Sequence, residues 1–114
     1  MEAEYNVVLN PDFIAITMKG LPISPEATSI VYWNKEDGTV YVNANNLPAP
    51  EQGKQYQLWA LKGGQPVNAG MIDMNGKIQF MENISSADAF AVTLEPAGGS
   101  PSPTLELLYV IGNV

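Results

Sequence analysis

Short apolar runs with period-two alternation, each cut off by glycine, proline or an Asx-Gly pair, fill this chain from Phe13 to Ile111. Period two sends successive side chains to opposite faces of a strand. No window carries the 3.6-residue period of an amphipathic helix; residues 24–28 and 85–88 have room for a single turn each. Phe13-Ile14-Ala15-Ile16-Thr17-Met18 is apolar on both faces and predicts a buried strand ended by Lys19-Gly20. Residues 30–33 and 40–44 flank Asp37-Gly38, a pair that supplies the positive φ of a tight hairpin turn. Val40, Val42 and Ala44 are expected to face inward, with Tyr41, Asn43 and Asn45 outward.

Leu47-Pro48-Ala49-Pro50 interrupts the ladder because each proline removes a donor. Residues 55–61 resume it, with Tyr56, Leu58 and Ala60 on one face and Gln55, Gln57, Trp59 and Leu61 on the other. Gly63-Gly64 turns toward a strand over residues 67–72, and Asn75-Gly76 is a further hairpin signal before a strand over 77–81. Residues 89–94 alternate large Phe90, Val92 and Leu94 with small neighbours, and residues 105–111 close the chain with Leu105, Leu107, Tyr109 and Ile111 on one face. About eight or nine short strands predict one all-β domain over residues 1–114, an antiparallel β-sandwich of Ig-like or Greek-key type. A partly closed barrel is the competing architecture.

Charge and missing residue types narrow the chemistry. Five lysines, no arginine and twelve carboxylates give a net charge of −7. Phosphate contacts dominate nucleic-acid affinity, so a nucleic-acid partner is not expected. Anionic headgroups repel the same field, and no apolar run approaches the roughly 20 residues of a membrane span, so no direct membrane insertion is expected. No charged-then-apolar leader opens the chain, so no signal peptide is expected. The chain has neither cysteine nor histidine, which removes disulfides, thiol nucleophiles, Cys/His zinc sites and histidine bases together. No cofactor is expected.

Each remaining candidate has a plainer structural reading beside it. Asp73-Met74-Asn75-Gly76 resembles the opening of a calcium loop, but position twelve is Ile84, which has no oxygen to offer. Glu36-Asp37 lies in a turn signal, and Asp88 and Glu95 stand seven residues apart, roughly 23 Å in extended chain, too far to act on one bond. Ser100 and Ser102 have no histidine to activate them, so no catalytic activity is expected. Asn83-Ile84-Ser85 is a glycosylation sequon that matters only in a eukaryotic secretory setting. Trp33 and Trp59, with Tyr32, Tyr41 and Tyr56, are candidates for a stacking platform for a sugar or peptide, against a core role; Trp59 stands out because its strand face is rich in glutamine.

Two stretches go beyond a generic β domain. The first runs Gly53-Lys54-Gln55-Tyr56-Gln57-Leu58-Trp59-Ala60-Leu61 and continues to Gly64-Gln65-Pro66-Val67 and Gly70. The second is residues 87–104, an apolar strand followed by Glu95-Pro96-Ala97-Gly98-Gly99-Ser100-Pro101-Ser102-Pro103-Thr104. In this order they resemble the C-terminal, extracytoplasmic domain of the anti-sigma-K factor (RskA-type) family, over about residues 28–112. The resemblance implies a membrane-anchored regulator whose helical cytoplasmic region holds an extracytoplasmic-function sigma factor. Its outer domain takes part in a signal that ends in regulated proteolysis and sigma release. This chain lacks the sigma-binding helices and the membrane helix, so the resemblance implies a fragment of a longer protein or a stand-alone relative. Its partner is then a protein or protease of the pathway. Pro96, Gly98, Gly99, Ser100, Pro101 and Pro103 form the candidate partner-contact loop, against the reading of a structural crossover. Gly99→Arg is expected to leave melting nearly unchanged if the loop is a contact site. The competing function is a small-ligand module, for cell-wall glycan, built on Trp33 or Trp59.

Overall fold

In the computed structural model, which describes residues 10–74 and 78–114, turn chemistry decides where strands stop. At the first hairpin the Gly38 N–H donates to Asn34 O at 2.8 Å, with Gly38 at φ +82°. The described strands are β1 (Ile14–Gly20), β2 (Thr28–Trp33), β3 (Val40–Asn46), β4 (Lys54–Lys62), β5 (Gln65–Ile72), β6 (Gln79–Phe80), β7 (Ala89–Pro96) and β8 (Leu108–Asn113). A single 3-10 turn, Leu105–Leu107, leads into β8.

All neighbours pair antiparallel, in the order β5-β4-β7-β8-β1-β2-β3-β6. The expected all-β antiparallel class holds. The hydrogen bonding describes one continuous sheet, however, and not the two separate sheets of a sandwich. Its halves, β5-β4-β7-β8 and β1-β2-β3-β6, join along a short seam, Lys19↔Ile111 and Gly20↔Val110, continued by the Leu21 N–H on Tyr109 O at 3.0 Å. Gly112 permits that approach, since a Cβ there would collide with the Thr17 carbonyl. At the far end the Glu82 N–H donates to Ala69 O at 3.0 Å, so the sheet curls until its ends nearly meet.

The halves bury one core between them. Trp33 of β2 meets Phe90 of β7 edge to face, with centroids 5.4 Å apart. Met18, Val31, Val42, Leu58, Val92 and Val110 are wholly buried around them. Each such side chain contributes about 1.5–3 kcal/mol when fully buried. Polar atoms carried inward find partners: the Trp33 indole N–H donates to Ile84 O at 2.9 Å and the Tyr56 hydroxyl to Pro48 O at 2.8 Å. Burial, with a smaller contribution from Tyr109, pushes the Tyr56 phenol up to about 12.

Several local expectations change. β1 is buried on one face only, through Ile16 and Met18, while Ala15, Thr17 and Lys19 are exposed. Leu105, Leu107, Tyr109 and Ile111 do not share a strand face: the Leu107 N–H donates to Thr104 O at 2.9 Å, which coils residues 105–107, and β8 buries Val110 and Gly112 instead. Residues 24–28 do turn, with the Ala27 N–H on Ser24 O at 3.0 Å, whereas residues 85–88 form no helical turn. The strand expected over 77–81 is reduced to Gln79 and Phe80 among the described residues, and the Asn75-Gly76 turn lies outside them.

Candidate functional site

β7 alternates as its sequence predicts. Phe90, Val92 and Leu94 enter the core, which leaves Ala89, Ala91, Thr93 and Glu95 on the outer side of the sheet. Antiparallel pairing sets Gln57 opposite Thr93, Trp59 opposite Ala91 and Gln55 opposite Glu95. An outer face normally meets water, yet Gln57, Trp59, Thr93 and Glu95 are each no more than 1% exposed. The segment between β7 and β8 folds back over them.

Glu95 is the anchor of that segment. Its carboxylate accepts from Thr93 Oγ1 at 2.6 Å, Ser100 Oγ at 2.8 Å, and both the Thr104 N–H and Thr104 Oγ1 at 2.7 Å. The Trp59 indole N–H donates to Thr93 Oγ1 at 2.8 Å, so that hydroxyl passes the polarisation on to Glu95. Gln57 holds the next residue pair: Ser100 N–H donates to its Oε1 at 2.9 Å, and its Nε2 donates to Ser100 O at 3.2 Å and Asn68 Oδ1 at 3.0 Å. Burial opposes ionisation of Glu95. The hydrogen bonds from Thr104, Thr93 and Ser100 outweigh it and hold the carboxyl below its ordinary value of 4.5. A buried charge costs several kcal/mol unless it is fully hydrogen-bonded, and here every buried side-chain polar atom among the described residues has a partner.

The candidate contact loop is therefore a cover with an exposed rim. Gly98 and Gly99 both sit at φ +94°, and the Gly99 N–H donates to Pro96 O at 2.9 Å. Pro96, Gly98 and Pro101 are exposed, as is Ser102, while Gly99, Ser100 and Pro103 are half-buried. Leu105, just beyond, is 69% exposed. Gly99→Arg is not the neutral probe expected from sequence. A Cβ at that left-handed position would stand 2.7 Å from Met71 Sδ and 3.1 Å from Gln57 Oε1.

The tryptophan platform is corrected as well. Trp33 lies in the core and Trp59 is buried on the outer side with its indole N–H on Thr93 Oγ1, so neither presents a ring face to solvent. The glutamine-rich face that singled out Trp59 is the face the loop covers. Among the described residues the most exposed aromatic ring, that of Phe80 at 60%, is on the other half of the sheet, where Tyr41 contacts Phe13 and Phe80 edge to face at 5.9 and 5.8 Å.

The other candidate side chains are engaged locally. Asp37 Oδ1 accepts the Thr39 N–H at 2.9 Å; that bond lowers its pKa, as a turn carboxylate requires. Asp88 Oδ2 accepts the Gly63 N–H at 2.8 Å and ties down the β4–β5 turn, well away from the Glu95 cage. Gln79 bridges Asp73 through both its amide oxygen and nitrogen at 2.8 Å, and Ile84 is in the core. No cluster of three or more His, Cys, Asp or Glu suited to a metal occurs among the described residues.

Sequence reasoning missed Glu95 as an anchor. The signal for it was Thr93 and Glu95 on one strand face, followed by the hydroxyls of Ser100 and Thr104 in a proline-stiffened loop.

Fold and site together define an all-β domain whose most elaborate polar structure shapes a loop. The family described as anti-sigma-K factor rskA, C-terminal, matches residues 2–107, and the chain belongs to that family. It is 31% identical over 81 residues to the anti-sigma-K factor RskA of Mycolicibacterium vanbaalenii, covering 68% of this chain and 34% of that protein. The same-named protein of Mycobacterium sp. (strain KMS) is 31% identical over 87 residues, covering 73% and 36%. That of Mycobacterium tuberculosis H37Rv is 30% identical over 86 residues, covering 71% and 37%. The chain thus spans about a third of the length of these relatives. No solved structure matches it at a significant level. Among the described residues no helix is long and apolar enough to cross a membrane.

Proposed function

We propose that this chain is the extracytoplasmic regulatory domain of a membrane-anchored anti-sigma factor, without catalytic activity of its own. Family membership over residues 2–107 carries the anti-sigma assignment. A cytoplasmic region of the longer protein, outside this chain, holds an extracytoplasmic-function sigma factor. This domain acts by protein contact through the loop bearing Pro96, Gly98, Gly99, Ser100, Pro101 and Pro103, and regulated proteolysis then releases the sigma factor. The Glu95 cage supports that role for the loop: a rim held in one shape loses little conformational freedom when a partner or protease seats on it.

The test belongs in the full-length protein. Ser102→Arg alters the exposed rim without touching the cage. The expected result is unchanged melting of the domain and a blunted sigma-dependent reporter response; an unaltered response removes the contact role. Location is checked separately, because the chain has no cysteine of its own. Ser102→Cys is expected to react with a membrane-impermeant thiol reagent in intact cells. Labelling only after lysis overturns the extracytoplasmic placement.

A further inference from the structure

The outer face of β2, β3 and β6 is built unlike the face beneath the loop. Register places Tyr32 directly opposite Tyr41, and Tyr41 directly opposite Phe80, so three aromatic residues form a row across three strands. Neighbouring strands lie about 4.8 Å apart, so the row extends roughly 10 Å. Phe80 is 60% exposed and the two tyrosines are half-buried. The rings of Phe13 and Phe80 pack edge to face with that of Tyr41, at 68° and 72°, so the row is held by its own ring contacts with Phe80 the most exposed member.

The next pair along the same face, Ile30 opposite Asn43, opens into a cavity of about 190 Å³ lined by Thr28, Ser29, Ile30, Asn43 and Asn46. A break in register between Thr28 and Ile30 makes the space, and Asn46 Nδ2 donates across it to Thr28 Oγ1 at 2.9 Å. Asn46 also borders a second hollow of about 390 Å³ with Ser24, Glu26 and Pro48.

From this juxtaposition we propose that the face is a binding site for a neutral oligosaccharide. The aromatic row offers apolar ring surface to the C–H faces of sugar rings. The amides and hydroxyls beside it offer both donors and acceptors to sugar hydroxyls. A hydrocarbon or purely apolar occupant would strip water from the half-buried Thr28 and the exposed Asn46 without replacing its hydrogen bonds. An anionic ligand would meet Glu26 and a chain of net charge −7. A hydroxylated, uncharged chain satisfies all three conditions. The proposal goes beyond the regulatory reading and does not depend on it.

Tryptophan fluorescence is a poor reporter here, because Trp33 and Trp59 are both buried away from this face. Amide NMR titration with chitotetraose and with cellotetraose reads the face directly. Saturable shifts from at least one of them are expected at Tyr32, Tyr41, Asn43, Asn46 and Phe80. Phe80→Ala, at an exposed edge position, is expected to keep the spectrum of the folded domain and weaken binding about tenfold. A second variant, Asn46→Ala, is expected to weaken binding with the aromatic row intact. Absence of shifts with both sugars at millimolar concentration overturns the proposal. So do shifts confined to residues 96–104, shifts that track protein concentration as in self-association, or an affinity that neither variant changes.

Discussion

The two outer faces of the curled sheet began from the same pattern and met opposite fates. On β4 and β7, Gln57, Trp59, Thr93 and Glu95 point away from the core yet are buried, with a folded-back loop bonded to Gln57 and Glu95. On β2, β3 and β6, Tyr32, Tyr41 and Phe80 also point away from the core and stay accessible. Side-chain chemistry inverts accordingly, with the polar groups buried in a cage and the aromatic rings half in water. Outward alternation says only that a residue leaves the main core. Whether it then meets water depends on what the connections between strands do. A buried polar cage resists change, because Thr93, Ser100 and Thr104 all donate to one carboxylate. An open aromatic row tolerates change, because solvent replaces whatever is lost.

That contrast is open to direct attack. The largest effect is expected from Glu95→Ala, which leaves Thr93, Ser100 and Thr104 without their acceptor and should cost on the order of 3 kcal/mol in denaturant unfolding. A cost near zero would mean that the cage does not hold the loop. A smaller effect is expected from acid. Glu95 has a folded pKa below its unfolded value of 4.5, so the unfolded chain takes up the proton first as pH falls. Its contribution to stability is fully present above 4.5 and is lost as pH drops through the folded pKa. Glu95→Gln should therefore flatten the acid limb of a stability-against-pH curve; an unchanged slope would place the acid sensitivity elsewhere. The smallest effect is expected on the open face, where Phe80→Ala should shift unfolding by no more than about 0.5 kcal/mol. A loss comparable to that of Glu95→Ala would erase the distinction between the two faces.

Much of the fold was legible because alternation and turn chemistry are local. The Asp37-Gly38 hairpin, the inward set Val40, Val42 and Ala44, and the large-small alternation of residues 89–94 follow from residues within a few positions of one another. The strand reading of Leu105 failed because Thr104 and Leu107 close a turn whose only sequence sign is the proline before it. The candidate loop was legible as a loop through Gly98, Gly99 and its prolines. Its anchoring was not, since Gln57 and Ser100 lie forty-three residues apart.

By itself the sequence determined an antiparallel all-β class, the Asp37-Gly38 hairpin, its family and its lack of histidine and cysteine chemistry. These rest on backbone sterics, period-two burial and the inventory of side chains, none of which needs a distant contact. Only the tertiary structure decided that the sheet is one curled surface, that Trp59 and Glu95 are buried, and that Tyr32, Tyr41 and Phe80 form a row on the other outer face. Strand residues carry no mark of which outer face a distant loop will cover. That choice is settled by packing and hydrogen bonds between segments that meet only when the chain is folded.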